Sequence, residues 1–167
     1  MSGKNTNPAR QGRHDRLIQE RNHDPYKSKQ KLREPTLCPQ CKAVFSGGRW
    51  QWLECQIQPA NETLCPACNR IHEKVPAGIL TLSGEFFHEH RDEIISLLHN
   101  KVGTEKAQHP LKRLMSIEDQ QDGSIIVTFT DTHSPRDVGK ALAHAYQGEI
   151  DIHYAEDEDL TRVKWSR

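Results

Sequence analysis

The alternation of apolar and polar residues is most regular in the last third of the chain. Alternating runs at 114–118 and 125–129, joined by Asp122-Gly123, predict two strands of a hairpin. A helix start at Ser134-Pro135 follows, and Gly148 marks its end. The predicted apolar stripe of this helix is Val138, Ala141, Leu142 and Ala145. Two further strands are predicted around Ile150, Ile152, Tyr154, Val163 and Trp165. Residues 111–167 therefore predict a small ββαββ domain.

A shorter pattern precedes it. Apolar runs at 43–45 and 49–52 flank Ser46-Gly47-Gly48 and predict a tight hairpin, with 79–82 as a third strand of the same module. Ser83 is a suitable N-cap for a helix that reaches about Asn100, whereas 101–110 has no apolar period and predicts a linker. The fold class is α+β, and the predicted divisions are a tail (1–34), a zinc ribbon (35–82), a helix with linker (83–110) and the ββαββ domain (111–167).

Two copies of Leu-Cys-Pro-x-Cys are the clearest chemical signal in the sequence. They place Cys38 and Cys41 in one turn, and Cys65 and Cys68 in another, with 23 residues between the pairs. Paired Cys-x-x-Cys turns supply the four thiolates that a tetrahedral Zn²⁺ prefers. Four thiolates leave no open coordination position, so the sequence predicts one structural zinc ion and no enzyme activity.

Two other residues leave alternatives at this site. His72 follows Cys68 closely enough to replace one thiolate, although four cysteines already complete the shell. Cys55 is predicted to be a small core residue.

A hydrolase that uses histidine and aspartate side chains would require a second, catalytic metal, and no phosphate loop or nucleophile motif supports it.

Charge is distributed unevenly along a chain whose net charge is zero. Residues 1–34 carry nine Lys or Arg against four Asp or Glu, whereas 114–167 carry five against eleven. A basic, polar N-terminal segment predicts a mobile tail that contacts phosphate, although such a tail can also be merely solvated. Tryptophans near a cation suggest base stacking, with burial in the ribbon core as the alternative. The predicted RNA contacts are Arg13, Arg16, Lys29, Lys31, Arg33, Arg49, Trp50 and Trp52.

These motifs resemble those of a bacterial family of uncharacterised zinc-ribbon proteins. The likeness extends over most of the chain and rests on both Cys-Pro-x-Cys turns, Gly48-Arg49-Trp50, Pro76-Ala77-Gly78, His90-Arg91 and His109-Pro110-Leu111. More distantly, paired cysteine turns followed by a β-α-β unit are similar to the archaeal and eukaryotic large-ribosomal-subunit export adaptor. That likeness implies zinc ligation by the four cysteines and a surface for RNA or a ribosomal subunit. The further cysteine pairs and long targeting region of that adaptor have no counterpart, so export is not implied.

The sequence thus predicts a cytoplasmic, non-catalytic zinc protein without a membrane segment, which binds RNA or a ribosomal particle through its basic tail and zinc ribbon. The alternative is a protein–protein adaptor that acts through the acidic C-terminal domain.

Overall fold

The chain combines two small sheets with helices, as the α+β prediction requires. The computed structural model describes residues 24–27, 31–54, 58, 61–155 and 159–167. Over these ranges it contains a four-stranded sheet, a five-stranded sheet and four helices. None of these helices is long and apolar enough to cross a membrane.

The smaller sheet has the strand order β3-β2-β1-β4. Its strands are β1 (Thr36–Leu37), β2 (Val44–Ser46), β3 (Arg49–Gln51) and β4 (Asn61–Glu62). The predicted hairpin is present as β2-β3, and β1 pairs with β2 antiparallel and with β4 parallel. These strands are short, so the sheet depends on the cysteine turns beside it for its packing.

Two glycines form the β2-β3 turn and are held by one carboxylate. Gly47 and Gly48 have φ of 61° and 78°, a left-handed conformation that glycine adopts without a Cβ clash. Their amides donate to the two carboxylate oxygens of Glu34 at 2.8 and 2.9 Å. The segment that leads into β1 is therefore fixed against the tip of the hairpin.

Helix α1 (Pro66–Glu73) begins directly at the second cysteine turn. Cys65 is its N-cap, and its sulfur accepts from the amide of Cys68 while Pro66 takes the first position. The helix ends at Lys74 in the left-handed conformation. The sequence pattern does not predict this helix, because its few apolar positions overlap the metal-binding motif.

The larger sheet has the strand order β6-β7-β5-β9-β8. Its strands are β5 (Gly78–Ser83), β6 (Leu114–Asp119), β7 (Ile125–Phe129), β8 (Glu149–Tyr154) and β9 (Thr161–Ser166). The central strand β5 pairs antiparallel with β7 and parallel with β9. The ββαββ elements predicted for 111–167 are thus all present, and β5 is inserted among their strands.

Three helices accompany this sheet: α2 (Glu85–Glu89), α3 (Arg91–Gln108) and α4 (Ser134–Tyr146). Their buried residues form one core with alternating side chains of β5, β7 and β9. The members of this core are Leu80, Leu82, Phe87, Ile94, Leu98, Val102, Ile125, Val127, Phe129, Val138, Leu142, Val163 and Trp165. This core contains no cysteine, so it is built without any metal ligand.

Four predicted details are wrong. Ser83 is not a helix N-cap but the last residue of β5, and Gly84 precedes α2 without a side-chain cap. Residues 79–82 are not a third ribbon strand but lie at the centre of the larger sheet, because apolar alternation shows that a strand is buried without showing which strands flank it. The predicted linker is mostly helical, since α3 continues to Gln108. Its residues beyond Val102 include no large apolar side chain, so apolar periodicity gives no signal for this part of α3. Finally, Ala145 does not belong to the buried face of α4 as predicted, because it is exposed. Gly139 is buried on that helix and was not part of the predicted apolar stripe. The division into domains stays a prediction.

Candidate metal centre

The four cysteines of the two Leu-Cys-Pro-x-Cys turns converge on one point. Their sulfur atoms all lie within 4.8 Å of one another, and the Sγ atoms of Cys41 and Cys65 are 3.7 Å apart. A tetrahedron with metal–sulfur bonds of about 2.3 Å has edges of about 3.8 Å, whereas a disulfide bond measures about 2.05 Å. Cys38, Cys65 and Cys68 are buried, and Cys41 is half-buried. The four sulfurs therefore form a cluster that can hold one metal ion.

The first cysteine turn is closed by backbone hydrogen bonds. The amide of Cys38 donates to the carbonyl of Ala43 at 2.8 Å, and the amide of Lys42 donates to the carbonyl of Cys38 at 2.9 Å. Lys42 has φ of 67°, at the position where many such turns carry glycine. Asn69 occupies the corresponding place in the second turn but lies within α1. The two turns therefore share a sequence motif and differ in backbone conformation.

Backbone amides and burial divide the thiols into two classes. Burial opposes ionisation of Cys38, but hydrogen bonds from the backbones of Cys41, Cys65 and Gln40 lower its pKa to about 7. Burial raises the pKa of Cys65, and it also raises the pKa of Cys68 despite a hydrogen bond from Arg113. A bound cation supplies the charge that these buried thiolates need, so the arrangement favours ionised cysteines with a metal present.

Arg113 contributes a cation to the cluster from outside the cysteine motif. Its two guanidinium NH₂ groups donate to Sγ of Cys68 at 3.3 Å and toward Sγ of Cys65 at 3.7 Å. The residue is only 8% exposed. Although burial lowers the pKa of Arg113, its bonds to cysteine sulfurs more than offset this and raise it above its ordinary value. Arg113 therefore offsets part of the negative charge of four thiolates.

The same arginine connects the cysteine turns to the larger sheet. Arg113 Nε donates to the carbonyl of Pro110 at 2.7 Å, and its amide donates to Oγ1 of Thr130 at 2.9 Å. Its guanidinium lies 5.8 Å from the ring of Trp52, whose Nε1 donates to the carbonyl of Lys106 at 2.7 Å. The end of α3 and the start of β6 are thus fixed against the cysteine cluster.

Sequence reasoning identified the cysteines but missed Arg113. No motif points to it, because it lies 45 positions from Cys68 and its role depends on the tertiary fold. His72, the alternative ligand, is exposed on α1 and is not a member of the cluster. Cys55 lies outside the described residues.

The predicted RNA contacts differ in their exposure to solvent, and some of them lie outside the described residues. Arg13, Arg16 and Lys29 lie outside the described residues, whereas Lys31, Arg33 and Arg49 are exposed. Trp50 is 9% exposed and packs edge to face on Phe45, with ring centroids 5.7 Å apart. Trp52 is half-buried, donates its indole N–H to the carbonyl of Lys106 and lies against the guanidinium of Arg113. Their assignment to RNA stays a prediction.

A groove of about 730 Å³ lies beside the cysteine cluster. We call it the Trp50 groove, and its lining is Tyr26, Lys27, Lys31, Leu32, Phe45, Gly48, Arg49, Trp50, Thr63, Leu64, Pro66, Asn69, His109, Pro110, Leu111 and Lys112. Of the predicted contacts, it brings together Lys31, Arg49 and Trp50. Sequence reasoning could not find the groove, since its wall at 109–112 comes from the segment that was predicted to join a linker to the next domain.

Comparison with known proteins gives no match to a protein-family model, to a curated protein or to a solved structure. The resemblance to bacterial zinc-ribbon proteins and to the ribosomal export adaptor therefore stays a prediction.

Proposed function

We propose that this chain is a non-catalytic protein in which one structural zinc ion, held by Cys38, Cys41, Cys65 and Cys68, supports a surface that binds RNA on a ribosomal particle. The observation that carries the proposal is the Trp50 groove, where cations and aromatic rings lie against the wall formed by the second cysteine turn.

Zinc suits this donor set better than harder cations. Four sulfurs with a tetrahedral spacing select zinc or iron–sulfur chemistry over magnesium or calcium, which require oxygen ligands. A closed shell of four thiolates also leaves no position for a substrate or a reactive water. The metal would serve a small sheet whose own core is little more than cysteines, Ala43, Trp50 and Ala67. Such modules depend on the metal for folding.

Charge supports RNA as the partner. Lys27, Lys31, Arg49 and Lys112 line one groove, and residues 1–34, which include two of these lysines, carry a net charge of +5. Cations that contact phosphates release counterions, so affinity should fall steeply as salt rises. Within the described residues, none of Lys27, Lys31 and Arg49 forms an ion pair. Lys112, by contrast, contacts Glu105 at 2.8 Å.

The test is RNA binding by the zinc-loaded full chain as a function of salt concentration. Fluorescence anisotropy with a labelled RNA should give a linear fall of log affinity with log salt. Lys31→Gln and Arg49→Gln should each reduce that slope by about one. Lys140→Gln, which changes an exposed lysine on α4 outside the groove, should leave the slope unchanged. Absence of binding at low salt would overturn the RNA function and leave the protein–protein adaptor as the working hypothesis.

A further inference from the structure

We infer that the Trp50 groove takes unpaired bases of an RNA strand, and not the surface of a double helix. The inference rests on the proposed RNA function and specifies the form of RNA that this site recognises. It follows from the concavity of the groove, from the rings that line it and from the sign of its charges.

Shape and wall composition favour a base over a duplex. The groove is concave, and its volume of about 730 Å³ lies within the range of small-molecule sites. Apolar side chains form much of its wall, and they are Leu32, Phe45, Trp50, Leu64, Pro66, Pro110 and Leu111. A duplex keeps its bases stacked inside and presents phosphates and 2′-hydroxyls on a convex surface. Only an unstacked base can place an apolar, hydrogen-bonding ring inside such a groove.

Aromatic rings in the groove are held in fixed positions. Trp50 is nearly buried and supports Phe45, which is half-buried and meets it edge to face. Tyr26 is held by the Arg70 guanidinium, 4.4 Å from its ring centroid, and by a hydroxyl bond to Glu73. Rings that are ordered before binding lose little entropy when a base stacks on them. Phe45 and Tyr26 are both half-buried at the groove, and we place the stacked base on Phe45, whose ring lies against the nearly buried Trp50.

The charged side chains that line the groove are basic, although Lys112 is paired with Glu105 and the Tyr26 hydroxyl bonds to Glu73. Lys27, Lys31, Arg49 and Lys112 line the groove, and its lining within the described residues includes no aspartate or glutamate. Stacking rings combined with cations on the same groove are the usual means of holding a single strand, because the cations follow the backbone while the rings accept bases. An acidic protein segment would satisfy the lysines through its carboxylates, but those carboxylates make no use of the aromatic surface.

The cysteine cluster makes the groove rigid from behind. Leu64, Pro66 and Asn69 line the groove and alternate with the cysteines of the second turn. Pro110 also lines the groove, and its carbonyl accepts from Arg113, which contacts Cys65 and Cys68 as well. These lining residues are therefore joined to the cysteines, by the chain at Leu64 and Pro66 and through Arg113 at Pro110, so a metal held by the four cysteines would restrain the groove.

The experiment compares two RNAs and three forms of the protein. The zinc-loaded full chain is titrated with a labelled single-stranded oligouridine and with a blunt RNA duplex of matched phosphate count, at equal salt. Phe45→Leu removes the stacking ring and keeps apolar volume. Tyr154→Leu is the matched control, because it makes the same kind of change at an aromatic residue that is 55% exposed and does not line the groove. Zinc content and thermal midpoint show that each variant is folded.

Binding to the single strand should be at least tenfold tighter than binding to the duplex. Phe45→Leu should weaken single-strand binding by about fivefold or more, leave duplex binding unchanged, and differ from Tyr154→Leu, which should have no effect. Equal affinity for both RNAs would overturn this inference while the RNA function stands. A single-strand preference that survives Phe45→Leu would overturn the assignment to the groove. Failure to bind either RNA would overturn both proposals.

Discussion

The guanidinium of Arg113 donates to Sγ of Cys68 at 3.3 Å, although the two residues are 45 positions apart in the chain. Four thiolates and one divalent cation carry a net charge of −2, and a buried arginine beside them reduces it to −1. Without the thiolates, Arg113 would be an unpaired buried charge, which is costly. The cysteine cluster and the start of β6 therefore stabilise each other.

Replacing Arg113 should weaken metal binding. Arg113→Gln removes the positive charge beside Cys65 and Cys68, and loss of an outer-shell partner typically lowers metal affinity about 10- to 100-fold. Competition with a chromophoric chelator measures the change. Arg91→Gln breaks an exposed ion pair with Asp119 and serves as the control, with unchanged affinity expected. Equal affinity of the two variants would show that Arg113 has no influence on the centre.

Metal uptake should release protons and strengthen as pH rises. Burial raises the pKa values of Cys65 and Cys68 above the ordinary thiol range, so both carry protons near pH 7 in the metal-free chain. Binding must displace those protons, and acid must favour release of the metal. Zinc titration by calorimetry, in buffers with different ionisation enthalpies between pH 6 and 8, measures the proton count. A proton count near zero with pH-independent affinity contradicts this picture.

Removal of the metal should affect the two sheets unequally. The small sheet packs on the cysteines, whereas the five-stranded sheet has an apolar core without a metal ligand. Hydrogen exchange after chelation should show lost protection in β1 to β3 and α1, and retained protection in β5, β7 and β9. The amides of Lys112 and Arg113 should also exchange faster, because the turn that carries the sulfur partners of Arg113 loses its order. Uniform loss of protection would mean that the larger sheet also requires the metal.

The close approach at Gly78 should not tolerate a methyl group. A Cβ there would lie 2.5 Å from the carbonyl oxygen of Asp131 and 2.6 Å from Cγ of Pro135. Gly78→Ala should therefore lower the free energy of unfolding by about 2 kcal/mol, as overpacking does. Gly103→Ala, on α3 with no atom within 4 Å of the added Cβ, should raise it by up to about 1 kcal/mol. Urea unfolding of both variants provides the comparison, and equal stability would contradict the packing at Gly78.

Local pattern was sufficient for the elements of 111–167. Alternation at Ile125, Val127 and Phe129 follows the burial of β7, and Pro135 lies in the first turn of α4 as predicted. These features depend on residues that are near in sequence. The same holds for the cysteine turns, whose spacing alone predicts a shared ligand.

Partners that are distant in sequence could not be predicted in this way. The alternation at 79–82 predicts a strand correctly, but its place between β7 and β9 depends on side chains more than 40 positions away. No local sequence feature distinguishes Arg113 from the other arginines, because its contact with Cys68 forms only in the tertiary fold. The Trp50 groove likewise combines a tyrosine before the first turn, a hairpin and the segment after α3. The spacing of apolar and polar residues does not show which distant segments meet in one groove.

The most direct test of the central claim is the metal content of the chain itself. Protein purified without oxygen is examined by native mass spectrometry and elemental analysis, beside a Cys65→Ser, Cys68→Ser variant. We expect one zinc ion per wild-type chain, four cysteines protected from alkylation until a chelator is added, and no zinc in the variant. A metal-free wild-type chain with accessible thiols, or one that contains iron with the absorbance of a cluster, would contradict the structural zinc on which the groove depends.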